Sequence, residues 1–282
     1  AILSQPLRAP RTADFQITLA ETPHEYAGVI AQVVLVERLR EVRALTGFTR
    51  IESLNDYTEE DELPKNHIMR LANKGPFWVP AAEVRGEGLF LQLREEAIQR
   101  WLQTSAVQKH NDLFRSAHTR WRQARRLEAP EAHYPELRYV LLHTFAHALM
   151  RQLTLACGYT AASIRERIYA QEADKAGGAM AGILLYTADS DSEGTLGGLV
   201  SRGKDLGSHI LGALEALQYC ASDPLCAEHT LASEITLHGS ACHACLFAPE
   251  TSCERGNRYL DRSVLIPTVD RSDVAFFRES IE

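Results

Sequence analysis

Two cysteines separated by two residues, Cys242 and Cys245, sit among three more, Cys220, Cys226 and Cys253, in an irregular stretch spanning residues 220–262. A tight turn of the Cys-x-x-Cys kind directs two thiolates at one ion, and single cysteines from flanking segments complete a tetrahedral set. The expected zinc ligands are Cys226, Cys242, Cys245 and Cys253. Cys220 is an alternative member of the set, and His229, His238 and His243 are further substitutes. The first 30 residues lack the charged, apolar and small-residue order of an export signal. The expected setting is therefore a reducing cytoplasm, in which such thiols bind zinc rather than pair as disulfides. Four thiolates leave no coordination position for water, so the ion is expected to be structural and to give residues 220–262 their shape.

At 282 residues the chain is long enough for one large domain or two smaller ones. No apolar run approaches the roughly 18 residues of a membrane span, so no membrane association is expected. A net charge of −7 excludes a surface that is basic all round, and any nucleic-acid contact must come from a local patch. One such patch is present. Lys109, Arg115, Arg120, Arg122, Arg125 and Arg126 face a single acid, Asp112, with Trp121 among them. Arginines with an interleaved aromatic suit a phosphate backbone and a stacked base, so Arg115, Arg120, Trp121, Arg122, Arg125 and Arg126 are candidate nucleic-acid contacts. The same pattern also describes a helix with a solvated basic face.

Along the chain, Thr22, Pro23 and Glu25 resemble a capped helix start, and Val29, Val33, Val36, Leu39 and Val42 keep helical spacing up to Gly47. Residues 48–74 read as irregular, with the acidic run 59–62 a solvated loop; 75–80 and 86–93 read as short strands. A long helix is expected from about Glu95 to Leu127, and a second from Glu136 to Cys157, stopped by Gly158. The second is apolar all round, which predicts burial. Met180–Tyr186 reads as a strand covered on both faces, 189–198 as a polar glycine-rich turn, and Leu206–Leu217 as a helix. The part after Pro267 reads as a short tail. The expected fold is mixed α/β, helix-rich with a small sheet and a C-terminal irregular zinc-binding segment. The expected division is an N-terminal α+β region with long helices (1–130) and an α/β domain (131–282) containing the zinc segment.

Three further places carry residue types that do chemistry. His143 and His147 stand four apart on one helix, with Glu166 downstream as a third ligand, as in a metal-dependent hydrolase. Such an enzyme needs a glutamate right after the first histidine, and Thr144 stands there instead. The 189–198 turn lacks a P-loop lysine and a dinucleotide fingerprint, and its acids oppose a phosphate. Cys157 has no base beside it in sequence and makes a poor nucleophile.

The strings His143-Thr144-Phe145-Ala146-His147, Ile164-Arg165-Glu166-Arg167-Ile168-Tyr169, Gly194-Thr195-Leu196-Gly197-Gly198, Ala241-Cys242-His243-Ala244-Cys245 and Asn257-Arg258-Tyr259-Leu260-Asp261-Arg262 occur in this order. Together they resemble the C-terminal region of the DrmB family of bacterial DISARM anti-phage systems, which carries a zinc-binding domain like that of the MrfA helicases (MZB). The likeness is specific from about residue 137 to 267 and weaker from about 23 to 102. It implies an MZB-like domain within 131–282 and a non-catalytic cytoplasmic partner of a DrmA-like helicase that engages DNA through the complex. It also implies zinc on Cys226, Cys242, Cys245 and Cys253, with Cys220 additional. DrmB chains are generally longer, so a C-terminal portion is expected.

Overall fold

A computed structural model of the chain describes residues 12–50, 57, 63–71, 78–187, 198–220, 222–231 and 236–278. The acidic run 59–62 and residues 189–197 of the glycine-rich turn lie outside them, as do residues 75–77 of the first expected strand.

The chain forms β1 (Phe15–Ala20), β2 (Ile30–Ala44), β3 (Gly47–Phe48), β4 (Met69–Arg70) and β5 (Ala81–Leu93). Helices α1 (Glu95–Leu102), α2 (Ser105–Ala124) and α3 (Glu136–Cys157) follow. Then come β6 (Ile164–Gln171), β7 (Met180–Thr187), α4 (Gly198–Arg202) and α5 (Leu206–Gln218). The larger sheet has the order β1-β2-β5-β7-β6 and is antiparallel at every pairing. The mixed fold expected from sequence is the one observed. Strands from both sides of residue 130 share this sheet, because β5 pairs with β7 from Gly88 opposite Tyr186 to Gln92 opposite Gly182.

The expected helix over 29–42 is a strand instead. Its apolar residues satisfy a spacing of three, but Ile30, Val33, Val34, Val36 and Val42 are β-branched and fit a pleated surface better than a helix. From Glu37 onward partly buried and exposed residues alternate strictly, the period-two signature of a strand with one solvated face. Val33, Leu35, Leu89, Leu91, Ile183 and Leu185 belong to the main core on one face. Val34, Val36 and Phe90 join Ile17 in a smaller cluster on the other.

The expected single helix over 95–127 is two. It breaks at Gln103 and Thr104, where the Thr104 hydroxyl donates back to the Trp101 carbonyl at 2.9 Å. By contrast α3 matches its expected bounds, and Gly158 takes the left-handed conformation (φ 69°) that ends it. Its apolar residues are buried as far as Leu153, with Leu137, Val140, Leu141, Leu142, Phe145, Leu149 and Leu153 at most 1% exposed, whereas Leu155 in the last turn is 80% exposed, so the expected burial does not reach the end of the helix. Each buried side chain contributes about 1.5–3 kcal/mol by leaving water. Helix α3 packs on β6 and β7 and on α5. The C-terminal segment lies across it as well: Thr144 Oγ1 accepts from the Asp261 amide at 3.1 Å, and Phe145 meets the Phe277 ring at 5.1 Å. The residues after Pro267 are therefore no free tail. The Phe276 and Phe277 amides donate to Val264 and Leu265, and Trp101 Nε1 donates to the Val274 carbonyl at 2.7 Å.

Candidate metal centre

Helix α5 delivers Cys220 just beyond its end, and a 3-10 turn over Pro224–Glu228 delivers Cys226. The Asp223 carboxylate caps this turn by accepting from the Leu225 amide at 3.1 Å. The Cys-x-x-Cys turn follows, its Cys242 carbonyl accepting from the amides of Cys245, Leu246 and Phe247 at 3.0–3.2 Å. The sulfurs of Cys220, Cys226, Cys242 and Cys245 all lie within 4.8 Å of one another. Cys220 to Cys242 is 3.4 Å, and Cys226 to Cys245 and Cys242 to Cys245 are each 3.6 Å.

These separations decide between bond types. A disulfide requires about 2.05 Å, and all six cysteines are free. Four sulfurs at about 2.3 Å from a tetrahedral zinc ion stand roughly 3.8 Å apart. The donor set and its spacing fit zinc. Without a cation the cluster cannot ionise together. Its hydrogen bond from Cys226 holds the Cys245 thiol down at about 6, while the Cys226 thiol is pushed far above its ordinary value by Cys245 and by burial. Arg262, only 3% exposed, adds a positive charge that favours both thiolates.

The structure groups Cys220, rather than Cys253, with the other three cysteines. Cys253 lies against α3, its Sγ 3.2 Å from His143 Nε2. His229 and His238 stack on each other at 4.6 Å, and His243 packs edge-on against Phe247.

Around Cys253 is a second cluster: His143, His147, Glu166 and Cys253 offer ligand atoms within 4.8 Å of one another, and all four are buried. Glu166 Oε1 is 2.9 Å from His143 Nε2 and 3.3 Å from His147 Nε2. Taken without an ion, the four groups hold one another in charged form. Burial works against the His143 imidazolium, but Glu166 and Cys253 lift it to about 9. Burial also works against the Glu166 carboxylate, yet the two imidazoles hold it far below the usual range. Burial pushes the Cys253 thiol up, and His143 brings it down to about 7. The histidine pair and Glu166 were visible in the sequence; Cys253 as their companion was not, because no local pattern joins positions 110 apart.

The arginine patch on α2 is divided by its geometry. Trp121 and Arg122 are buried, at 4% and 1% exposure, and Arg122 donates to the Glu128 carbonyl. Arg125 lies 3.8 Å above the Trp121 ring and Arg258 5.2 Å from it, so arginines occupy the place a base would take. Arg115, Arg120, Arg125 and Arg126 are exposed. Of these, Arg115 pairs with Glu136 at 2.7 Å and Arg120 donates to the Leu231 carbonyl at 2.6 Å.

Residues 145–246 match the family model of the MrfA Zn-binding domain, MZB, and this stretch contains all four clustered cysteines. The chain thus carries a zinc-binding domain of the MZB family. Over 96% of its length it is 38% identical to the DISARM protein DrmB of Bacillus paralicheniformis. It is a DrmB homologue, and it spans 47% of that relative's length. A solved structure of the DUF1998 helicase MrfA bound to DNA aligns with 86% of the chain and 24% of its own, at 12% identity and a TM-score of 0.35. Among the described residues no helix is long and apolar enough to cross a membrane.

Proposed function

We propose that this chain is a non-catalytic, zinc-stabilised accessory subunit that docks on a DrmA-like helicase in DISARM anti-phage defence and helps bring DNA to it. The four-thiol cluster carries the reading. A zinc ion held by Cys220, Cys226, Cys242 and Cys245 has no open position at which to activate water, so its contribution is to fold and dock residues 219–246. The kinship with DrmB supports the defence context. DNA contact in this reading falls to the exposed Arg125 and Arg126 at the end of α2, with Arg120 beside them.

A metal-dependent hydrolase built on His143 and His147 is the competing reading, and burial disfavours it. Both histidines are 0% exposed. Thr144, where a zinc protease has its general base, donates its hydroxyl to the Val140 carbonyl at 2.7 Å.

The deciding experiment is co-purification of the chain with a DrmA-like helicase, followed by DNA binding at increasing salt. The expected result is a stable complex whose DNA affinity falls steeply with salt and weakens when Arg125 and Arg126 become Ala. A chain that neither binds the helicase nor alters its DNA affinity would overturn the reading. Metal-dependent hydrolysis that vanishes in His147→Ala would favour the alternative.

A further inference from the structure

We propose that His143, His147, Glu166 and Cys253 form a second, separate metal site, closed and buried, that binds zinc. Neither His143 nor Cys253 lies within the stretch matching the zinc-binding family model, which ends at 145 and 246. The site therefore straddles the borders of that domain and ties it to what precedes and follows.

The imidazoles of His143 and His147 point their Nε2 atoms into the cluster. His147 Nδ1 is 2.8 Å from the Leu246 carbonyl and His143 Nδ1 is 3.4 Å from the Tyr259 carbonyl. A carbonyl only accepts, so each Nδ1 carries the proton and donates. In a neutral imidazole the Nε2 atom is then a bare lone pair. Both lone pairs face Glu166 Oε1, and that of His143 also faces Cys253 Sγ. Lone pairs turned on a carboxylate and a sulfur repel unless something positive stands between them. Histidines that bind metals are anchored in this way, through the other nitrogen to a backbone carbonyl.

Glu166 Oε2 is buried and has no hydrogen-bond partner among the described residues. Its Oε1 is held by the Glu254 amide at 3.3 Å, so the carboxylate is fixed while one oxygen is left unsatisfied. A buried carboxylate with an unpartnered oxygen is costly, and a cation held by the same carboxylate offsets part of that cost through its charge.

Cys253 Sγ accepts from the amides of Arg255 at 3.4 Å and Asn257 at 3.2 Å. The turn closes through left-handed Gly256 (φ 57°) and Asn257 (φ 61°), which aims both amides inward. Amides converging on a sulfur stabilise a thiolate, the form that binds metal.

One thiolate, one carboxylate and two neutral imidazoles balance a divalent cation, leaving a neutral buried site. Two nitrogens, one sulfur and one oxygen suit zinc at tetrahedral geometry, where such donors stand roughly 3.3–3.6 Å apart. The observed separations of 2.9–3.3 Å are up to a few tenths of an ångström shorter than that range, so the donors would move slightly apart around an ion. The rival occupant of the same space is a pair of protons, one on each Nε2, which also gives neutrality. Metal content separates the two.

The test measures zinc in the purified full chain together with its X-ray absorption fine structure. Two zinc ions per chain are expected, with a mean shell drawn from five sulfurs and three nitrogen or oxygen donors. His143→Ala should halve the zinc content, and the remaining shell should become all sulfur. One zinc per chain with an all-sulfur shell would overturn the proposal in favour of the protonated pair. Two zinc ions that persist in His143→Ala would overturn it by placing the second ion elsewhere. If His143→Ala does not fold, the wild-type content and shell decide alone. This outcome is independent of helicase docking, which a one-zinc chain could still perform.

Discussion

His147 Nδ1 donates to the carbonyl of Leu246, the residue directly after the cluster cysteine Cys245. The two groups of candidate metal-binding residues thereby share a piece of backbone. The Leu246 amide is in turn held by the Cys242 carbonyl at 3.0 Å. A change at the Cys-x-x-Cys turn is transmitted to α3 through a single residue, Leu246.

The four-thiol cluster should be necessary for folding of the C-terminal segment. Cys242→Ser or Cys245→Ser is expected to lose the zinc of that site, lower solubility, and lower Tm by roughly 10 °C, given the size of structural zinc contributions. Metal analysis and calorimetry check this. A variant with unchanged Tm and one zinc fewer would show that the segment folds without its ion.

Asp261 predicts an acid limb in stability. Burial penalises its carboxylate, but hydrogen bonds from His110 and the Ser263 amide hold its pKa at about 2, below the ordinary 3.8. The folded value is depressed, so the stabilisation is fully present above about pH 4 and is lost as pH falls through about 2. It amounts to about 2 kcal/mol. Asp261→Asn should flatten stability against pH in that window relative to wild type, measured by urea unfolding. Parallel curves between pH 4 and 2 would exclude this role.

Arg138 is fully buried on α3 and grips Glu95 at 2.5 and 2.6 Å and Glu172 at 3.0 and 3.2 Å. Arg138→Ala leaves two carboxylates without their cation, and because both are about a third exposed to water it should cost about 1.5–3 kcal/mol. Arg138→Lys should recover only part of this, because an ammonium cannot form the two-pronged contact. Denaturant midpoints of the two variants give the comparison.

Gly86 has no room for a side chain. A Cβ there would sit 1.7 Å from the Thr187 backbone oxygen, so Gly86→Ala must push β5 away from the end of β7. A loss of about 3 kcal/mol or more is expected. Gly28→Ala, where a Cβ would meet nothing within 4 Å, is the control and should be nearly neutral. Equal stability of the two variants would contradict the β5–β7 packing described above.

Elements with both a period and a stop were legible in the sequence. Helix α3 had an unbroken apolar surface and Gly158; β7 had a continuous apolar run; α5 had its leucines at helical spacing. Strand β2 was misread because a spacing of three over Val33, Val36, Leu39 and Val42 fits a helix stripe, while the decisive alternation starts only at Glu37. The cysteine region was legible as a metal site from composition, but not in its grouping. Cys220 and Cys253 flank the Cys-x-x-Cys turn on either side, and spacing does not distinguish them. What separates them is tertiary: the turn after Cys253 is laid on α3 beside His143. Arg138 and Trp121 show the same limit, since a helix pattern gives a face and not what the face meets.

Strand β7 lies between β5 and β6, and β5 precedes the stretch that defines the zinc-binding family. A fragment cut to residues 145–246 would carry β7 with one bare margin, its amides and carbonyls along Gly182–Tyr186 free to recruit a strand from another molecule. The boundary of recognisable kinship and the boundary of what can stand alone in water are therefore different places in this chain.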